Sequence, residues 1–149
     1  MTDNKLDISR ATEAIKDARF VDALSLLESN LAKDPNHIDS LYLAAVSSRY
    51  LKNYDDAKKY IQSLLTQAPD MGRAYQELGH LNRDIGNQEN SIAHYRQACE
   101  LNPALLSSWK ALYDYFRTGN NKPAADHAFM QMNTLQSIPS VLLYISQIL

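Results

Sequence analysis

The run Glu77 to Asn87, ELGHLNRDIGN, gathers three side chains that can do chemistry. Glu77, His80 and Asp84 are spaced i, i+3, i+7, which puts them on one face of a helix. Two carboxylates and an imidazole so placed suit a divalent metal, or a general base with an orienting partner. A metal site needs a further ligand, and the spacing of the remaining candidates supplies none. His94 and His127 fall on other segments, expected toward an outer face, and His37 falls in a turn. Cys99 is the single cysteine, so the chain forms no internal disulfide and no cysteine-rich zinc site. It stands in register with Leu31 and Leu65 and reads as a small buried apolar residue rather than a nucleophile. The sequence contains no supported Ser-His-Asp arrangement, no GxGxxG and no phosphate loop. The expectation is a chain without catalytic residues, metal or cofactor.

The elements that position these residues follow from composition and period. The chain has 149 residues, 45% of them apolar, which suits one domain with a real core. Its net charge of −2 gives no global attraction to nucleic acid or to anionic membrane. The N-terminus has no apolar signal region, and the longest apolar run is too short to span a bilayer. A cytoplasmic location is therefore expected. Richness in Ala, Leu, Lys, Gln and Glu, with few glycines and no sustained apolar/polar alternation, reads as all-helical.

The strongest signal is a period of 34. Pro35, Pro69 and Pro103 are that far apart, and so are the small residues Ala23, Ala57, Ser91 and Ala125. Leu41, Tyr75 and Trp109 make a large apolar column, and Leu27, Ile61, Tyr95 and Phe129 make another. Ala11, Ala45 and Gly79 form a second small column, which ends at Tyr113. Small residues let paired helices approach closely; the large ones fill the space between. The pattern predicts helices near 6–17, 20–33, 38–51, 54–67, 71–85, 88–101, 105–118 and 122–135. Turns fall at DARF, LKNY, IGNQ and TGNNK, the last read as one residue short. Proline between units stops one helix and suits the start of the next.

The third unit, AYQELGHLNRDIGNQENSIAHYRQACELNP, and the second, SLYLAAVSSRYLKNYDDAKKYIQSLLTQAP, resemble the tetratricopeptide repeat family. The resemblance covers roughly residues 4–135, and Asp7, Arg10 and Tyr113 depart from its pattern. It implies an all-α, right-handed superhelix of about four helix-turn-helix repeats, near 4–37, 38–71, 72–105 and 106–138, in one domain spanning 1–149. It also implies that first helices line a concave groove that binds a peptide or protein segment. The family's grip on a terminal carboxylate uses asparagines; this chain has Thr12, Val46 and His80 in that region, so that mode is not carried over.

The residues expected on the groove face include Tyr42, Arg49, Tyr50, Arg73, Gln76, His80, Arg83, Lys110, Asp114 and Arg117. With Lys5, Ile8, Thr12, Ile15, Lys16, Asp39, Val46, Asp84, Ser107 and Thr118 they form a set of net charge +4, against −6 for the rest. Arg49, Arg83 and Arg117 repeat at 34, and no packing rule demands arginine there. A guanidinium fork suits carboxylate or phosphate, so the expected ligand is an acidic or C-terminal peptide segment; the alternative is that these arginines pair with Asp84, Asp114 or other nearby acids. Tyr42 and Tyr50 add the flat, amphipathic area common at interfaces.

The terminal run SVLLYISQIL is apolar around its whole circumference. A solenoid end needs a polar outer face, so a helix over 140–149 points to a longer protein or to self-association. Residues from Ser107 onward also resemble, loosely, the repeat region of bacterial repeat-containing sulfotransferases. That implies the alternative of an accessory recruiting domain of a larger transferase.

Overall fold

The computed structural model describes residues 2–137, with side chains from residue 7 onward. The expected terminal helix over 140–149 and the side chain of Lys5 lie outside the described residues. Among the described residues there are eight α-helices and no strand: α1 (Thr2–Lys16), α2 (Phe20–Lys33), α3 (Ile38–Tyr50), α4 (Tyr54–Gln67), α5 (Gly72–Asp84), α6 (Gln88–Leu101), α7 (Leu106–Thr118) and α8 (Lys122–Gln136). The 34-residue period places the boundaries of α2 to α8 to within a residue. The first helix starts at Thr2, ahead of the apolar pattern that begins at Leu6.

The helices sort into two compact units that meet in sequence at Pro69 and Asp70. In the first, α1 packs on α2, α2 on α3 and α3 on α4. The second repeats this with α5 to α8, and in both units the first and third helices also touch.

Every helix pair turns in the same way. Ala18, Lys52, Gly86 and Asn120 all adopt left-handed backbone, with φ of 58°, 63°, 84° and 58°. The next amide then donates to the carbonyl five residues back: Arg19 to Ala14, Asn53 to Ser48, Asn87 to Asn82 and Asn121 to Phe116, at 2.7–2.9 Å. This bond satisfies a carbonyl that the helix end leaves open. The fourth turn is therefore not shortened. Gly119 stands one place early, and Asn120 takes the left-handed position that Gly86 takes in the third.

The core shows why the small and large columns exist. Ala23, Ala57, Ser91 and Ala125 are all buried. Gly79 lies so close to Tyr95 that an added Cβ would stand 2.6 Å from the ring. Ser91 Oγ donates to the Gly79 carbonyl at 2.8 Å, tying α6 to α5 at this crossing. Tyr95 is 1% exposed there, and burying such a ring stabilises by roughly 1.5–3 kcal/mol. In the fourth repeat Tyr113 replaces the small residue. Its ring meets Phe129 at 5.7 Å, and Phe129 is left 47% exposed. Two large side chains cannot share a space built for one.

Candidate functional site

The ten groove candidates divide between the two units. On α3, Tyr42 is half-buried, Arg49 is 6% exposed, and Tyr50 is 53% exposed. The Arg49 guanidinium carbon lies 4.5 Å from the Tyr50 ring centroid. A buried arginine is no open contact for a ligand, so the three-arginine column is not uniformly accessible. The sequence pattern could not tell this, because the same register position is buried on α3 and exposed on α5 and α7.

In the second unit, Arg73, Gln76 and His80 of α5 are half-buried. Gln76 Oε1 accepts from Ser108 Oγ of α7 at 2.8 Å. His80 Nδ1 and the Tyr95 hydroxyl share a hydrogen bond of 2.6 Å, and their rings meet edge to face. Glu77 is buried. Among the described residues, no group of three His, Cys, Asp or Glu side chains is placed to hold a metal ion. Arg83, Lys110, Asp114 and Arg117 are exposed. Arg83 reaches its neighbour Asp84 at 3.4 Å through Nε and Nη2, a long contact on a side chain 55% exposed. The Arg117 guanidinium lies over the Tyr113 ring at 5.5 Å.

Of the ten, Arg83 and Asp114 line one open cleft of about 370 Å³. Its floor is apolar, from Ile92, Tyr95, Ala111 and Tyr115; Gln88 and Thr118 stand at its edge. The groove-face pattern did not include Gln88, Ile92 or Tyr115, yet the repeat itself held the signal. Two periods earlier, Gln88 and Thr118 correspond to Phe20 and Tyr50. In the first unit those two rings stack at 4.5 Å, 2° from parallel, across the corresponding space. The aromatic plug of the first unit is replaced by two polar side chains in the second.

His37 and His94 have structural places. His37 caps α3: its Nδ1 accepts from the Ser40 amide at 3.3 Å and meets Ser40 Oγ at 2.7 Å. His94 is half-buried against Tyr75, and burial pushes its pKa below the ordinary value. Cys99 is buried; burial first, then the Glu100 charge, pushes its thiol up to about 12. Such a thiol stays protonated at neutral pH and is a poor nucleophile.

Two models of the tetratricopeptide repeat match the sequence, one over residues 14–81 and one over 72–105. The chain belongs to the tetratricopeptide repeat family. Tetratricopeptide solenoids are also its structural neighbours. A thermophilic tetratricopeptide protein of Thermus thermophilus, TTC0263, superposes with a TM-score of 0.75 at 18% identity, over 96% of this chain and 82% of that one. A crystal structure of MamA superposes at 0.73 with 13% identity, over 89% and 78%. MamA from Desulfovibrio magneticus RS-1, residues 41 to the end, gives 0.71 at 19% identity, over 89% and 75%. At these identities the likeness establishes the all-α helical-repeat fold. No curated protein matches the sequence. As a tetratricopeptide protein the chain is a protein-interaction module, and among the described residues no helix is long and apolar enough to cross a membrane.

Proposed function

We propose that the second unit binds an acidic segment of a partner protein along α5 and α7, with Arg83 as the central cation. The observation that carries this reading is the open cleft beside Arg83. Its guanidinium is exposed and held by a 3.4 Å contact to Asp84, so a ligand carboxylate can compete for it. Lys110 and Arg117 lie exposed on α7 and extend the positive surface. The cleft floor offers an apolar pocket next to the cation, which suits an acidic residue followed by an apolar one. Arg49 is left out of this contact set because it is buried.

The test is a fluorescence-anisotropy titration of labelled acidic peptides against the wild-type chain, Arg83→Ala and Arg83→Ala/Arg117→Ala. The expected result is a loss of at least tenfold in affinity for the double variant, with melting temperature unchanged. Equal affinity in the folded double variant rejects the reading.

A further inference from the structure

A second cleft, of about 490 Å³, lies in the second unit among α6, α7 and α8, apart from the Arg83 cleft. Its walls are short: Cys99 on α6, and Ala124 and Ala128 on α8. Its floor is the apolar pair Leu112 and Phe116 of α7. Arg96, Glu100, Trp109 and His127 surround the opening.

The repeat provides an internal template for what belongs here. Two periods earlier, Cys99 and Ala128 correspond to Leu31 and Tyr60. In the first unit, both of those large side chains pack against the core cluster built on Leu27 and Ala44. The second unit carries a thiol and a methyl in their places. Leu112 and Phe116 are larger than their counterparts Ala44 and Ser48, so the floor is raised and made more apolar while the walls are cut back. Trp109 is likewise larger than its counterpart Leu41, so the cleft is reshaped rather than enlarged, and the position cut back furthest is Ala128, where the first unit has the ring of Tyr60.

Charge at the opening changes in the same comparison. Tyr60 is half-buried near Glu28 and Asp56; burial, then Glu28, then Asp56 push its phenol pKa up. The counterparts of those two acids are Arg96 and Ala124. Arg96 lines the cleft opening, with its guanidinium carbon 5.1 Å from the Phe116 ring centroid, so its donors are at hand there. Trp109 and His127 meet edge to face at 5.6 Å and supply aromatic edges on the other side. A hydrophobic floor, flanking aromatic edges and a donor at the mouth together favour a ring carrying an acceptor oxygen.

We infer that this cleft is a second docking site, which receives a tyrosine side chain presented by a partner protein. The ring takes the place left by the counterpart of Tyr60, and its hydroxyl oxygen accepts from Arg96. The site is independent of the Arg83 cleft, so a single partner can be held on two faces of the unit.

Trp109 is the single tryptophan, so its indole N–H gives an isolated signal in a ¹⁵N-labelled full chain. That signal is followed during titration with N-acetyltyrosinamide, N-acetylphenylalaninamide and N-acetylleucinamide. The expected result is a saturable shift with the tyrosine amide, with Kd on the order of a millimolar, as befits one anchor without its chain. The phenylalanine and leucine amides bind several-fold more weakly, and Arg96→Gln removes the preference for tyrosine over phenylalanine. Ala128→Tyr, which restores the side chain of the template, abolishes the shift; Cys99→Leu, a milder filling, weakens it. Arg83→Ala/Arg117→Ala leaves it unchanged, which separates this site from the groove. A leucine amide that binds as well as the tyrosine amide, or an undiminished shift in folded Ala128→Tyr, overturns the inference. So does a dimer in sedimentation that Ala128→Tyr dissolves, because the occupant is then a second copy.

Discussion

At the scale of single residues, two glycines separate two different demands. Gly79 sits in a helix with Tyr95 against it, while Gly86 has open space around its missing Cβ and a φ of 84°. Gly79→Ala therefore gains helix propensity but forces the ring to move, for a net loss of about 1–2 kcal/mol. Gly86→Ala meets no atom and loses about 1 kcal/mol through backbone strain alone. Urea denaturation of the two variants checks both values, and a crystal structure should show a shifted Tyr95 only in the first. His94 gives a pH-dependent counterpart. Its folded pKa is lowered by burial, so as pH falls through its ordinary value of 6.5 the unfolded chain takes up a proton before the folded one does. Its contribution makes stability fall with pH from that point downward, until the folded pKa is reached. The stability difference between wild type and His94→Gln should therefore change across pH 7 to 5 and stay flat above pH 7.5, as read by thermal melts at each pH.

At the scale of the helix pair, one substitution pattern decides whether a cleft is open. Phe20 and Tyr50 close the first unit's space by stacking, and Gln88 and Thr118 leave the second unit's space open. Transplanting the plug as Gln88→Phe/Thr118→Tyr should stabilise the second unit by about 0.5–1.5 kcal/mol, the worth of an aromatic pair. It should also abolish acidic-peptide binding; a plugged variant that binds normally removes the cleft from the proposed site. The helices themselves were legible in the sequence because period, proline and small columns all mark the same boundaries. The cleft was less so. Arg83 and Asp114 were expected from their face on α5 and α7, but Gln88 and Ile92 enter from α6, which a face of the first helices does not report, and Tyr115 enters from an α7 position outside the expected face. Arg49 shows the converse failure: its register position pointed to an open face and its burial was invisible.

At the scale of the whole chain, net charge is only −2, so attraction to an acidic partner depends on local cations rather than on overall field. Exposed cations are screened within about 8 Å at physiological salt. Affinity for an acidic peptide should therefore drop several-fold between 50 and 500 mM NaCl, while the tyrosine-amide shift at the second cleft stays nearly constant, both read by titration at each salt concentration. Repetition has one further consequence. The same hydrogen bond closes four turns, with alanine, lysine, glycine and asparagine in turn at the left-handed position before it. The chain thus carries out its own substitution series, with no mutagenesis needed. Amide hydrogen exchange at Arg19, Asn53, Asn87 and Asn121 measures how often each turn opens. Exchange should be faster at Arg19 and Asn53, where a side chain is held against its preference, than at Asn87 and Asn121, which makes the four turns a ranking of local strain within a single spectrum.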